Sequence, residues 1–115
     1  MQITRVKVTP VELKLLKPAK MAGLPDIDSI TAIFVRLETK HGQTAWGCTV
    51  ANQYLTGEIP QDIIKACQEC AELVPDLHPI DIEYSLDQLI AQTNAPPAVL
   101  CAFDLAFHDL LGLAA

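Results

Sequence analysis

Residues 101–115 read CAFDLAFHDLLGLAA, and the interpretation of this stretch decides the fold. From Val99 to Ala115 only Asp104, His108 and Asp109 carry polar side chains. Asp104 and His108 are four residues apart with Asp109 beside them, so a helix here has one narrow polar stripe. A helix that is apolar almost all the way round normally lies between two layers of protein. One layer can come from the rest of this sequence; the second is expected to lie outside it.

Upstream, the pattern divides in two. ITRVKVTPVELKLL (residues 3–16) alternates as Val6 and Val8, then Val11, Leu13 and Leu15, which predicts a strand whose face shifts at Thr9-Pro10 through a bulge or edge position. SITAIFVRLET carries Ile33, Val35 and Leu37 on one face, and QTAWGCTV gives a third strand. Between them KHGQ is a short turn in which Gly42 can take positive φ, so strands two and three form an antiparallel hairpin. Strands one and two are joined by KPAKMAGLPDID, and ANQYLTGE follows strand three. Neither stretch has a period, and irregular loops of this length in compact domains are usually functional or mobile.

The spacing then becomes helical. Pro60 suits a first helical position and Asp62 sets a carboxylate near the positive helix end. Ile63, Cys67, Cys70 and Val74 form one stripe, and Pro75 stops it. Pro79 opens a second helix with Ile82, Leu86, Leu89 and Ile90 inward, and TNAPP separates it from the last one. Strands grouped before helices predict an α+β fold: a three-stranded antiparallel meander followed by three helices, in one domain spanning residues 1–115. The strands should fill about residues 2–50 and the helices about 60–115.

Composition narrows the function. The chain has 115 residues, half of them hydrophobic and 19% charged, which is a globular composition. A net charge of −6 with scattered Lys and Arg argues against nucleic acid. The longest uncharged run, Leu89 to Phe103, holds Gln, Thr, Asn and two prolines, which argues against a membrane span. MQITRVKVTP has no apolar signal core, so a cytoplasmic protein with reduced thiols is expected.

Cys67-Gln-Glu-Cys70 matches C-x-x-C. Redox versions place the first thiol at a helix N-terminus, and a zinc site needs two further ligands that His78 alone does not complete. Both are read as core thiols, packing as small hydrophobes. Asp104, His108 and Asp109 have no accompanying nucleophile or third ligand and are read as polar groups satisfied across a helix interface. His41 sits at a turn tip. No phosphate loop, dinucleotide fingerprint or nucleophile elbow is present, so the residues themselves offer two binding loops and no catalytic or metal site.

Taken together, MQITRVKVTPVELKL, VRLETKHGQTAWG, LTGEIPQDI and CAFDLAFHDLLGLAA resemble the N-terminal capping domain of the enolase superfamily, mandelate racemase/muconate lactonizing enzyme group. The last segment is similar to the family pattern A-x-D-x-A-x-x-D-L-x-G-K-A, with Ala102, Asp104, Ala106, Asp109, Leu110, Gly112 and Ala114 in place. His108 stands where Trp is typical, Leu113 where Lys is typical, and Cys48 where the hairpin commonly has Glu. TGE after Tyr54-Leu55 looks closer to the muconate lactonizing and dipeptide epimerase branch.

The resemblance implies a substrate-capping domain. Its loops at Lys20–Asp28 and Ala51–Glu58 would close over a C-terminal barrel, with Met21, Leu24 and Tyr54 touching a small carboxylate substrate and Gly23 and Gly57 letting the loops move. Phe103, Asp104, Phe107, His108, Asp109 and Leu111 would pack against the barrel or another copy of the chain. The family's catalytic residues and Mg²⁺ belong to that barrel, which needs about 250 residues and is not within this sequence. The chain alone is then inactive, while a full-length parent would remove a proton α to a carboxylate as a racemase, epimerase or cycloisomerase. The rival reading is a stand-alone α+β module binding a small ligand or a protein, which should bury Phe103, Phe107 and Leu111 without a barrel.

Overall fold

The computed structural model describes residues 2–20, 22–23, 27–53, 57–77 and 81–114, with side chains 18, 19 and 114 outside that description. Three strands, β1 (Ile3–Ala19), β2 (Ile27–Thr39) and β3 (Thr44–Ala51), form one antiparallel sheet in the order β1-β2-β3. Three helices follow, α1 (Pro60–Leu73), α2 (Ile82–Thr93) and α3 (Pro97–Ala114), with a 3-10 turn at Val74–Asp76 after α1. The architecture is the predicted meander followed by helices.

The central strand explains the layering. Ile33, Val35 and Leu37 of β2 are fully buried on the face that the helices cover. Ala45, Thr49 and Ala51 of β3 join them on that face. The β2–β3 turn closes as its sequence requires: Gly42 takes φ +82°, and the Thr39 N–H donates to the Gln43 carbonyl at 2.9 Å. The Gln43 N–H also donates to the Thr39 hydroxyl at 3.1 Å, which satisfies a threonine that is only 4% exposed.

Strand β1 departs from its expected form. Its pairing with β2 runs without interruption from Arg5 to Lys14, with Pro10 opposite Ile33, so no bulge interrupts Thr9-Pro10. The register shifts lie instead between Ile3 and Arg5 and between Lys14 and Ala19. The apolar set changes because the two sets use opposite faces of one continuous pleat. Val6 and Val8 share the inner face with Leu37 and Val35, and Val11 and Leu13 lie on the outer face beyond Phe34. Pro10 is accommodated because β1 is an edge strand, where an unmade ladder bond faces away from the sheet.

Helix α1 presents Ile63, Cys67 and Cys70 inward, continued by Val74, as its spacing predicts. Helix α2 differs in two respects. It starts at Ile82 with Asp81 as N-cap, the carboxylate accepting the Tyr84 N–H at 3.0 Å; Pro79 lies outside the described residues. Its inner face is Ser85 and Leu89 with Ile82 and Leu86 half-buried, while Ile90 is 46% exposed. Counting Ile90 inward put two adjacent positions on one face, and the 3.6-residue turn gives that face to Leu89 and leaves Ile90 outside. Asn94 ends α2 in the left-handed conformation (φ 53°), returning its N–H to the Ile90 carbonyl.

Helix α3 lies along the inner face of the sheet, mainly under β3. Val99, Ala102, Phe103, Ala106, Phe107 and Leu110 are buried, the i, i+3, i+4, i+7 stripe of a helix with one packed face. The two phenylalanine rings pack 6.2 Å apart at the centre of the core. Burying each contributes roughly 1.5–3 kcal/mol.

Candidate functional site

Both irregular loops leave the same end of the sheet. β1 finishes at Ala19, which pairs with Ile27 at the start of β2, and β3 finishes at Ala51, which pairs with Thr31 only four residues further along β2. Loop 20–26 and loop 52–59 are therefore neighbours by topology. The Asn52 side-chain amide donates to the Ser29 carbonyl at 3.4 Å, joining the first residue of the second loop to the strand that follows the first. The Ser29 hydroxyl in turn donates to the Glu12 carboxylate at 3.1 Å. The β1 arm of this end carries exposed apolar side chains, Leu16 being fully exposed and Leu13 42% exposed.

Of the five predicted substrate-side residues, Gly23 and Gly57 are described and Met21, Leu24 and Tyr54 lie outside the described residues. Gly23 has φ +77° and Gly57 φ +72°, and neither would meet any atom within 4 Å if it carried a Cβ. Backbone conformation, rather than crowding, is what favours glycine there.

The six predicted packing residues on α3 do not share a surface. Phe103 and Phe107 are wholly enclosed by this chain's own sheet and helices, because their stripe is the one α3 needs to bind the sheet. They are not available to another layer. The large apolar side chains that α3 exposes among the described residues are Leu105 and Leu111 on its outward side, at 51% and 38%, and Leu113, at 50%, where the buried stripe runs past the end of the sheet. Leu111 thus belongs to the outer surface and is not buried as the stand-alone reading requires. Asp104 and His108 form an exposed pair, Oδ1 to Nδ1 3.1 Å. The described residues contain no group of three or more His, Cys, Asp or Glu able to hold a metal.

Asp109 has a use that its sequence position did not disclose. Its Oδ2 accepts the Trp46 backbone N–H at 2.8 Å. β3 is an edge strand, so this N–H has no strand partner, and the carboxylate caps it from the helix. Next to it, Gly47 faces the α3 backbone directly: an added Cβ would fall 1.9 Å from the Ala102 carbonyl oxygen and 2.9 Å from the Ala106 nitrogen. Gly47, Ala102 and Ala106 let strand and helix meet backbone to backbone. Around this seam Trp46 stacks edge-on with Phe34 at 6.5 Å, beneath the Arg36 guanidinium, whose charge is also paired with Glu38 at 2.8 Å. The signal for this seam was a glycine inside a strand, which often marks close approach of another backbone.

The cysteines of C-x-x-C are core residues. Both are fully buried in α1. Burial, followed by the neighbouring Cys70, pushes the Cys67 thiol up to about 12. Burial also raises Cys70, partly offset by its contact with the Thr93 hydroxyl at 3.4 Å. Thiols held protonated in this way are poor nucleophiles and poor metal ligands.

No family profile matches the chain. A curated relative, the hydrophobic dipeptide epimerase of Enterococcus faecalis, is 27% identical over 112 residues, which is 97% of this chain and 31% of the relative. The crystal structure of the dipeptide epimerase from Enterococcus faecalis V583 with Mg and the dipeptide L-Leu-L-Tyr superposes with a TM-score of 0.89 at 26% identity. That superposition covers 99% of this chain and 32% of the epimerase. An enolase-superfamily member from Roseovarius nubinhibens ISM gives a TM-score of 0.84 at 25% identity, covering 98% and 31%. The chain thus spans about a third of the length of the proteins it matches. In sequence and in fold it resembles the N-terminal capping domain of the enolase superfamily, mandelate racemase/muconate lactonizing enzyme group, and it matches the N-terminal portion of that group's members.

Proposed function

We propose that this chain is the substrate-capping domain of a mandelate racemase/muconate lactonizing-type enzyme and has no catalytic activity alone. The observation that carries the proposal is the match of 97% of this chain to 31% of a hydrophobic dipeptide epimerase. The shared sheet end of the two loops supports it, since a cap must bring both to one mouth. In this role loops 20–26 and 52–59 close over a small carboxylate, with Met21, Leu24 and Tyr54 as the contacting side chains. The outward side of α3, with Leu105 and Leu111, packs against the C-terminal barrel. Mg²⁺ in the parent would assist removal of the proton α to the carboxylate. The described residues here do not fit that ion, since none cluster as ligands, and no step through it is assigned to this chain.

The test follows exchange of the α-proton by NMR in D2O with Mg²⁺ and L-Leu-L-Tyr. The isolated chain gives no exchange above buffer. A chimera in which it replaces the corresponding third of the Enterococcus faecalis epimerase restores exchange on some member of a dipeptide panel. Exchange by the chain alone, or a folded chimera inert on the whole panel, contradicts the proposal.

One observation favours the stand-alone module: Phe103 and Phe107 are buried without any further domain. Static light scattering separates the two readings. Association that Leu105→Glu and Leu111→Glu abolish supports a cap whose outer helix face is meant to be covered. A monodisperse monomer up to high concentration supports the module.

A further inference from the structure

The sheet has a second face, turned away from the helices, and the strand register sets what meets there. Lys7, Arg36 and Trp46 form one row across the three strands, and Thr9, Phe34 and Cys48 form the next. Lys7 and Arg36 are direct partners, with Cβ atoms roughly 4.5–5.5 Å apart, and like charges set opposite each other destabilise a sheet. One carboxylate answers one of them: Glu38 pairs with the Arg36 Nη2 at 2.8 Å. Among the described residues Lys7 has no ion pair or hydrogen bond, and the enclosed Arg36 Nε has no acceptor. Beside these cations lie two rings. The Arg36 guanidinium sits 5.6 Å from the Trp46 ring centroid, and Trp46 meets Phe34 edge to face at 6.5 Å. Lys7, Thr9, Val11, Phe34, Arg36 and Trp46 together line an open depression of about 420 Å³.

We propose that this depression binds a small aromatic monocarboxylate, its carboxylate between Lys7 and Arg36 and its ring against Phe34, Trp46 and Val11. A carboxylate placed there relieves the opposition of the two cations through charge-assisted hydrogen bonds. The aromatic wall supplies apolar area and edge or offset ring contacts to the rest of the ligand. The chain's net charge of −6 selects a singly charged anion, since it repels polyanions from a site with only two cations. The depression is separate from the mouth formed by loops 20–26 and 52–59. Trp46 is the third residue of β3, next to the hairpin turn, whereas both loops leave the other end of the sheet. The site therefore stands whether or not the chain caps a barrel. A ligand that contacts all three strands also stabilises the folded chain by mass action.

Trp46 is the chain's single tryptophan, so its emission reports occupancy directly. The experiment titrates the chain with phenylacetate at fixed pH and ionic strength, follows Trp46 emission, and maps the site by amide NMR. Acetate and benzyl alcohol supply the charge and the ring separately. Phenylacetate should give a saturable emission change, with amide shifts centred on Lys7, Thr9, Phe34, Arg36 and Trp46. Acetate and benzyl alcohol should each bind at least about tenfold more weakly, having lost one of the two contacts. Lys7→Gln changes an exposed side chain, should keep the wild-type circular dichroism, and should weaken phenylacetate about threefold or more. Lys7→Glu puts a carboxylate of the protein's own opposite Arg36 and should abolish binding. Failure to saturate, acetate binding as tightly as phenylacetate, shifts centred on α3, or unchanged affinity in either Lys7 variant overturns the proposal.

Discussion

Gly47→Ala isolates the contact that sets α3 on the sheet. The new methyl would lie 1.9 Å from the Ala102 carbonyl oxygen and 2.9 Å from the Ala106 nitrogen, where ordinary contacts begin at 3.4 Å. Both obstructing atoms are helix backbone, so no rotamer change relieves the clash. α3 must move outward by more than an ångström. That movement loosens Phe103, Phe107 and Leu110, and lengthens the 2.8 Å bond between Asp109 and the Trp46 N–H. Overpacking of a well-packed core costs typically about 1–3 kcal/mol, and the loosened aromatic contacts place this case at about 3 kcal/mol or above. A small domain has only about 5–15 kcal/mol in total, so the urea midpoint should fall sharply. Gly112→Ala, on the same helix with nothing within 4 Å of its added methyl, is the control and should stabilise by up to about 1 kcal/mol. Urea denaturation followed by Trp46 fluorescence measures both. A Gly47→Ala protein within about 0.5 kcal/mol of wild type, the scatter of neutral surface changes, would refute the reasoning.

Three further outcomes are expected. Phe103→Ala should destabilise by about 3–5 kcal/mol whereas Leu111→Ala should lie within about 0.5 kcal/mol; equal effects in chemical denaturation would contradict the assignment of one to the core and the other to the surface. Asp109→Ala leaves the Trp46 N–H without its acceptor and should cost about 1 kcal/mol, as for a single hydrogen bond at an exposed site, with a shift in Trp46 emission; unchanged stability and emission would count against the cap. Stability should also depend on alkaline pH, because Cys67 titrates near 9.0 when unfolded and about 12 when folded. Between those values the unfolded chain has lost a proton that the folded chain keeps, so this contribution is complete below pH 9 and declines as pH rises, Cys67 accounting for at most about 1.4 kcal/mol per unit. Cys67→Ala should flatten that decline in unfolding curves taken from pH 8 upward, and an identical slope would sink the assignment.

The elements that were legible in the sequence are those whose pattern is local. The KHGQ turn needed a positive φ that Gly42 supplies, and α1 needed only the stripe from Ile63 to Val74. What was not legible depends on partners distant in sequence. The apolar change in β1 reads equally as a bulge or as two used faces, and the outer-face neighbour Phe34 decides it. Whether Phe103 or Leu105 meets the sheet cannot be taken from a helix that is apolar on both sides; the small residues Ala102 and Ala106, matched to Gly47, select the face. For the loops, the sequence pointed to Gly23 and Gly57, and the strand register adds that both loops leave one end of the sheet.

The central claim is that this chain caps a larger enzyme, and native mass tests it most directly. Capture from source cells with an antibody to this domain, followed by intact mass spectrometry, should return a species about three times the 12.5 kDa of this chain, the size of a cap joined to a barrel. A species of 12.5 kDa, running as a free monomer, would contradict it.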